Sequence, residues 1–418
     1  MTSAGIVIVG AGQSAAVAAH ALREHGYRGH ITIVGRERHL PYERPLLSKA
    51  VLTEAKEPSF QVLATDVWER CDINLLSGID AVALDVAQQQ VRLADGQALK
   101  YEKCLLATGG EPRVHPSLPR TMQHVHYMRT IDDARLLRAA LKHKPRVGIL
   151  GGGFLGLEVA HSSIAAGASV TLIEYASRLL DRFLPAEASA YVHSTLTDAG
   201  AQILLGASIS NVHTAPGDHI RLTTNTGLER EVDEVVVAIG LTPNDTLARD
   251  AGLEIAPGGG VWVDASCRTS NEHVFACGDC TSQRRSGQPQ PTRLESWQNA
   301  NEQARTAAAA MLSAPPPATA VPWFWTDQGR FNIQILGFPA PDLDYVRRGD
   351  PATGKVLWLG HRHSVPVHGV AINAGSDLRA IRPLFERGQP VSLEGFHSDS
   401  INLRVWAKQV QARAVVTA

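Results

Sequence analysis

Two glycine-rich turns, 141 residues apart, constrain this 418-residue chain more than any other feature. The first, Gly10-Ala11-Gly12-Gln13-Ser14-Ala15, follows the apolar run Ile6-Val7-Ile8-Val9. The second, Gly151-Gly152-Gly153-Phe154-Leu155-Gly156, follows Val147-Gly148-Ile149-Leu150. Each joins a strand-forming run to an Ala/Leu-rich helical stretch. The first glycine (Gly10, Gly151) makes the turn. The second (Gly12, Gly153) lets the backbone approach a pyrophosphate. The third position (Ala15, Gly156) needs a small residue where helix meets sheet. The helix start offers free N–H groups and a positive dipole end to the phosphates. An ordinary α/β domain can hold one such turn with no ligand. Two with matching flanks imply two dinucleotides and electron transfer between them.

The residues after each turn refine this. The run Ala168-Ser169-Val170-Thr171-Leu172-Ile173 ends in Glu174, 23 residues beyond Gly151. An acid near this spacing accepts from a ribose 2′-OH and repels a 2′-phosphate, which favours NADH over NADPH. Arg178 nearby pulls the other way. After the first turn, His30-Ile31-Thr32-Ile33-Val34 runs into Gly35-Arg36-Glu37. Arg36 stands where the acid is expected, and Glu37 follows one position later.

Length predicts two or three domains. A formal net charge of −1 points to neither nucleic acid nor an anionic membrane. The N-terminus lacks a basic-then-apolar leader, and no run approaches the ~18 apolar residues of a membrane span. These features predict a cytoplasmic protein. Of five cysteines, only Cys277-Gly278-Asp279-Cys280 has a suggestive spacing. It can be a redox pair or half a metal site, but no second pair completes a zinc site. The favoured reading is that Gly278-Asp279 is functional and the flanking thiols pack. His361-Arg362-His363 has no carboxylate or cysteine companion and reads as strand, so no metal is expected.

The pattern along the chain predicts α/β architecture. Residues 1–112 hold the first βαβ unit, a hairpin turning at Asp95-Gly96, and the strand Lys103-Cys104-Leu105-Leu106-Ala107. Residues 113–244 repeat that plan and end in Val235-Val236-Val237-Ala238-Ile239-Gly240. Residues 245–320 carry Val274-Phe275-Ala276-Cys277-Gly278-Asp279, an Ala-rich helix near 299–312 and the stiff stretch Ala314-Pro315-Pro316-Pro317-Ala318. Residues 321–418 read as a small α+β domain with a helix near 377–387.

These pieces, in this order, resemble the ferredoxin reductases of Rieske oxygenase and cytochrome P450 systems over nearly the whole chain. The most specific motifs are Leu40-Pro41-Tyr42-Glu43-Arg44-Pro45-Leu46-Leu47-Ser48-Lys49, Ala107-Thr108-Gly109, Ala276-Cys277-Gly278-Asp279-Cys280, Arg293-Leu294-Glu295-Ser296-Trp297-Gln298-Asn299-Ala300 and Trp323-Phe324-Trp325-Thr326-Asp327-Gln328. The resemblance implies two Rossmann-like three-layer, glutathione-reductase-like domains. An FAD-binding domain in two parts (1–112 and 245–320) surrounds an NADH-binding domain (113–244), and a C-terminal domain (321–418) follows. It implies FAD and NADH as cofactors and a [2Fe–2S] ferredoxin as partner. Hydride would pass from NADH to FAD, then single electrons to the ferredoxin. Lys49 resembles the lysine beside flavin N5, and Glu158 the acid that pairs with it and faces the nicotinamide. Arg44 and Arg113 resemble neighbours of the flavin phosphates and ring. Asp279, after Gly278, resembles the acid on the ribityl chain. Thr108, Gly109, Glu295, Ser296, Trp297 and Trp325 complete the FAD side, with either tryptophan alternatively a core residue. Phe154, Leu155, Ile239 and Gly240 join Gly151, Gly153, Gly156, Glu158, Glu174 and Arg178 on the NADH side. The chain departs from the pattern at Arg36, with Glu37 available for the ribose instead, at Leu46 in place of a second proline, and at Ala15.

Two other readings are weaker. An NADH flavoenzyme of the peroxidase or disulfide reductase group needs a redox cysteine near Ser48-Lys49-Ala50, and residues 1–70 contain no cysteine. A redox-sensing flavoprotein like apoptosis-inducing factor would show a long C-terminal insertion or a basic targeting cluster, and neither is visible. Residues 322–418 carry 11 Lys+Arg against 8 Asp+Glu. That excess suggests a docking face for an acidic ferredoxin, with Arg347, Arg348, Arg379 and Arg382 as candidates beside Arg284 and Arg285.

Overall fold

The computed structural model describes residues 4–214, 217, 219–285, 290–398 and 400–416. Residues 1–3 and 417–418, the two ends of the expected first and last domains, lie outside the described residues, as do 215, 216, 218, 286–289 and 399. The chain divides into two compact units. The first comprises Met1–Leu46, Pro58–Pro112 and Leu241–Thr319. The second comprises Leu47–Glu57, Arg113–Gly240 and Ala320–Ala418.

In the first unit, short apolar runs build a parallel sheet ordered Ile73–Ser77, Ile31–Gly35, Gly5–Val9, Ala98–Leu106, Val274–Ala276. The strand Ala98–Leu106 serves two pairings. Its C-terminal half lies parallel to Gly5–Val9, and its N-terminal end lies antiparallel to Gln90–Leu93. The intervening turn contains Gly96 at φ +90°, which an Asp-Gly pair supplies without strain. Helix Gln13–Glu24 buries an alanine face, Ala15, Ala16, Ala18 and Ala19, in one core with Ala304, Ala307 and Ala308 of helix Trp297–Met311. Small side chains let the two helices approach closely.

The second unit repeats the arrangement. Its parallel sheet runs Gln202–Leu205, Ser169–Glu174, Arg146–Leu150, Glu234–Val237, Val125–His126. A separate antiparallel sheet follows, Ile209–Thr214, Ile220–Thr224, Glu229–Val232. The unit also contains a five-stranded antiparallel sheet ordered Trp323–Gln328, Phe331–Gly337, Val365–Ile372, Lys355–Arg362, Asp344–Asp350. Helices Gly375–Arg387 and Leu403–Val416 complete its core through Leu378, Ile381, Leu384, Trp406 and Val410. The His361-Arg362-His363 run is not all strand. His363 and Ser364 both take positive φ, 49° and 64°, and make the hairpin turn between Lys355–Arg362 and Val365–Ile372.

The short segment Leu47–Glu57 belongs with the second unit although the chain before and after it belongs to the first. Arg135 Nε and Nη2 donate to the two oxygens of Glu57 at 3.0 and 2.7 Å. Arg138 donates to the carbonyls of Glu54 and Ala55 at 2.5 and 2.9 Å. Helix Ile131–Leu141, which carries both arginines, begins in a capping box between Thr130 and Asp133. Among the described residues no helix is long and apolar enough to cross a membrane.

Candidate functional site: two phosphate turns and a buried charge cluster

The two glycine turns have the same geometry. Gly10 has φ +108°, and a Cβ there would stand 2.2 Å from the Ala107 carbonyl oxygen. Gly151 has φ +105°, and a Cβ would stand 2.4 Å from the Ala238 carbonyl oxygen. Each position thus needs glycine twice, for conformation and for space. Gly12 and Gly153 are the N-caps of their helices. Neither helix start has a side-chain cap or an acid in its first turn, and a Cβ at either glycine would meet nothing within 4 Å. The result is two uncapped helix N-termini with open space before them, which fits the pyrophosphate of a dinucleotide. The turns differ at their third position. At Gly156 a Cβ would stand 1.9 Å from the Gly151 carbonyl oxygen, whereas the first helix accommodates Ala15, fully buried.

In the first unit, Glu37 and Arg36 face different partners. The Glu37 carboxylate accepts from Tyr42 Oη at 2.5 Å and Arg44 Nη2 at 2.6 Å. Arg36 is exposed and turned to Asp80 at 2.7 Å and Glu111 at 3.3 Å. Burial works against the Arg44 charge, but Tyr42, Glu37 and Asp279 outweigh it and hold the guanidinium ionised. Asp279 lies in a 3-10 turn, Gly278–Cys280. Gly278 has φ +81° and donates to Gln303 Oε1 at 2.8 Å. Thr108 Oγ1 donates to Asn244 O at 2.7 Å, and Asn244 Nδ2 returns a bond to Thr108 O at 3.0 Å, tying the turn at Gly109. Ser296 caps helix Trp297–Met311 by accepting from Asn299 N at 3.1 Å. Glu295 pairs with Arg293 at 2.9 Å. Trp297, at 36% exposure, is not a core residue. Cys277 and Cys280 form no disulfide and are fully buried, and burial pushes both thiols up to where they stay protonated. The redox-pair reading of this CxxC therefore has no support in the structure. Among the described residues no three His, Cys, Asp or Glu side chains gather as a metal site.

In the second unit, Glu174 accepts from the backbone N–H groups of Gly152 and Ala176. The acid thereby braces the glycine turn. Arg178 is paired with Asp181 at 2.5 Å, so the cation that could attract a 2′-phosphate is engaged. Phe154 packs between Phe183 and Phe324 with ring centroids 4.8 and 4.4 Å apart. Leu155 and Ile239 are half-buried, and Gly240, exposed at φ +111°, accepts from Arg113 N at 2.9 Å. The Arg113 side chain is exposed.

The same unit assembles a charge cluster from three stretches of chain. Glu158, 8% exposed, lies on helix Phe154–Ala165. Lys49 Nζ contacts Glu158 Oε1 at 3.1 Å and Asp327 Oδ2 at 3.3 Å. Ser48 Oγ donates to Glu158 Oε2 at 2.5 Å, and Thr326 Oγ1 donates to Glu158 Oε1 at 2.6 Å. Ser162 Oγ, one helical turn on, donates to the Ser48 carbonyl at 2.6 Å. The Lys49 ammonium lies 5.8 Å from the Trp325 ring, which stacks on Trp323 at 5.1 Å. Burial raises the Glu158 pKa, and Lys49, Ser48 and Thr326 offset this only in part. Ser48, Thr326, Asp327 and Gln328 stand inside the motifs quoted from the sequence but had drawn no role. Their signal was adjacency to Lys49 and Trp325.

Comparison with known proteins adds an independent line. A pyridine nucleotide-disulphide oxidoreductase family model matches residues 4–304, and a reductase C-terminal model matches 323–407. The chain is 37% identical, over 90% of its length and 95% of the relative's, to the 3-phenylpropionate/cinnamic acid dioxygenase ferredoxin–NAD(+) reductase component of Photorhabdus laumondii. This chain belongs to the ferredoxin reductases of the pyridine nucleotide-disulphide oxidoreductase family, which use FAD and NADH. Among solved structures, putidaredoxin reductase in its covalent complex with putidaredoxin superposes with TM-score 0.93 at 30% identity, covering 99% of this chain and all of that one. The ferredoxin reductase for the CYP199A2 system from Rhodopseudomonas palustris gives 0.91 at 32%, covering 96% and 99%.

Not every candidate suits the role expected of it in this reductase. Arg348 is buried and donates to the carbonyls of Phe396, Ser398 and Ile401, so it braces the C-terminal domain and cannot dock a partner. Arg285 is half-buried and donates to Asn299. Arg347 is paired with Glu187, which also accepts from Trp358 Nε1 at 2.8 Å. Arg379 and Arg284 are exposed. Arg382 is half-buried beside Glu386 at 3.3 Å.

Proposed function

We propose that this reductase is cytoplasmic and takes electrons from NADH through FAD to a [2Fe–2S] ferredoxin that supplies an oxygenase. The pair of equivalent, uncapped glycine turns carries this reading, because one chain with two dinucleotide cradles is built to pass electrons between two dinucleotides. FAD, when bound, supplies the redox chemistry, accepting two electrons as hydride and releasing them singly.

The residues of the chain bind and tune. Residues 1–112 and 245–320 form the FAD-binding part, 113–244 the NADH-binding part and 321–418 the C-terminal domain. The Gly10–Ala15 turn holds the FAD pyrophosphate, and Glu37, fixed by Tyr42 and Arg44, takes the ribose. Asp279 and the turns at Thr108-Gly109 and Glu295-Ser296-Trp297 orient the cofactor, with Arg113 and Trp325 as further neighbours. On the NADH side the Gly151–Gly156 turn takes the pyrophosphate, and Phe154, Leu155, Ile239 and Gly240 line the path. Glu174 favours NADH by repelling a 2′-phosphate. Lys49 presents a cation whose field stabilises an electron-rich flavin, and Glu158 holds that cation in place. Hydride transfer needs alignment rather than an acid–base dyad.

The test is anaerobic mixing of the purified protein with NADH and candidate [2Fe–2S] ferredoxins. The expected outcome is a yellow protein whose flavin bleaches with NADH, followed by bleaching of a ferredoxin. A protein that neither carries nor takes up FAD would overturn the reading.

A further inference from the structure

Asp279, the acid expected on the ribityl chain, sits on a short turn whose place is set by a residue that carries no role so far. Gln303 is 4% exposed and lies on helix Trp297–Met311. Its Oε1 accepts from the buried Gly278 N–H at 2.8 Å. A backbone N–H only donates, so the atom facing Gly278 is the amide oxygen. Thr281 Oγ1 stands 2.9 Å from that oxygen and 2.9 Å from the Gly278 carbonyl, and its one proton serves either. The Gln303 amide is oriented from both ends. Asn299, one helical turn back, donates through Nδ2 to Oε1 at 3.3 Å, and Gln303 Nε2 donates to Gln283 Oε1 at 3.4 Å.

Packing closes the other side of the turn. Gly278 has φ +81°, and a Cβ there would stand 2.5 Å from Ser14 Oγ, on the helix that opens at the first glycine turn. The Gly278-Asp279 turn is therefore held between that helix and helix Trp297–Met311, all within the first compact unit. A turn pinned at Gly278 N–H presents Asp279 before any cofactor arrives. Without the Gln303 acceptor, the turn relaxes until this N–H finds another partner. Cofactor binding must then bring the turn back and bury the N–H unpaired, which costs free energy that the pinned turn does not lose.

We propose that Gln303 is the positioning residue that presents Asp279 to FAD, by holding the Gly278 N–H in the geometry that cofactor binding requires. The proposal rests on reading Asp279 as a flavin contact, and its test separates the two. Holoprotein is diluted, and the flavin fluorescence that appears on release gives the FAD Kd. Gln303→Leu, similar in size and without an acceptor, should raise this Kd about tenfold. Asp279→Ala should raise it as well. The double variant should bind no more weakly than Asp279→Ala alone, because a turn that no longer meets the cofactor gains nothing from being held. The visible circular dichroism of bound flavin should move in Gln303→Leu toward the Asp279→Ala spectrum. A merely structural Gln303 would lower thermal stability at saturating FAD in both backgrounds and leave Kd and the flavin spectrum unmoved. An unchanged Kd in Gln303→Leu overturns the role of Gln303, as does the same loss added in full to that of Asp279→Ala. An unchanged Kd in Asp279→Ala overturns the flavin reading of the turn, and this role with it. Should Gln303→Leu fail to fold, Gln303→Asn, one methylene too short to reach Gly278 N, decides by the same comparison.

Discussion

Glu158 shows how burial and pairing compete at one residue. Burial raises its pKa, and Lys49, Ser48 and Thr326 pull it back without cancelling the shift. A raised folded-state pKa means that the native protein binds more protons than the unfolded chain between the two values. Stability is therefore lost as pH rises from the ordinary carboxylate range through the raised value, and is level above it. Glu158→Gln should accordingly raise Tm at neutral pH more than near pH 4, measured by calorimetry at both. Equal effects at the two pH values would show that the carboxylate carries no such penalty. Lys49→Met should act in the opposite sense, leaving Glu158 as a buried anion with only hydroxyl partners. It should slow flavin reduction by NADH in stopped flow by roughly tenfold or more. Glu174 has two tasks that a single truncation confounds, since it braces Gly152 and stands where a ribose acid is expected. Glu174→Ala should lower kcat/KM for NADH and narrow its ratio to that for NADPH. Glu174→Gln, which retains an acceptor for Gly152 N, should narrow the ratio with a smaller loss.

At the scale of elements, the two glycine turns were legible because their requirements are local. Gly10 and Gly151 each face a backbone carbonyl of the next strand across the sheet, and no other residue fits. What the sequence could not show is that the third positions differ in kind. Both read as places for a small residue, yet Gly156 has no room for a Cβ beside the Gly151 carbonyl oxygen, while the first helix holds the Cβ of Ala15. Gly156→Ala should therefore destabilise by about 1–3 kcal/mol through overpacking, whereas Ala15→Gly should cost only about 0.5–1 kcal/mol through helix propensity. Urea titration of both variants checks the asymmetry. The clip of residues 47–57 was illegible for a different reason. Its attachment runs through Arg135 and Arg138, roughly 80 residues away, whose bonds include backbone carbonyls that no pairing pattern marks. The Ser48 and Thr326 contacts with Glu158 were hidden likewise, because a hydroxyl carries no charge or period to betray its partner.

At the scale of the whole molecule, charge sets how a partner arrives. Residues 322–418 carry a positive excess in sequence, but fewer of their arginines are free to meet a partner than that count suggests. Arg348 is spent on three backbone carbonyls, Arg347 on Glu187 and Arg382 on Glu386, leaving Arg379 as the docking candidate in this stretch. An electron carrier must leave after each delivery, so its interface should be small and its rim charges should act on encounter rate more than on lifetime. Reduction of an acidic ferredoxin should then fall as salt rises, since the screening length shrinks from about 10 Å at 0.1 M to about 3 Å at 1 M. Arg379→Glu should lower the rate at low salt several-fold and converge with wild type at high salt. The double change Arg347→Ala with Glu187→Ala, which removes a compensated pair, should leave the salt slope nearly unchanged. Ferricyanide, which takes electrons without a protein–protein encounter, serves as the control in each case. Ferredoxin reduction no more salt-sensitive than that control would rule out electrostatic docking on this face, and would leave the flavin chemistry untouched.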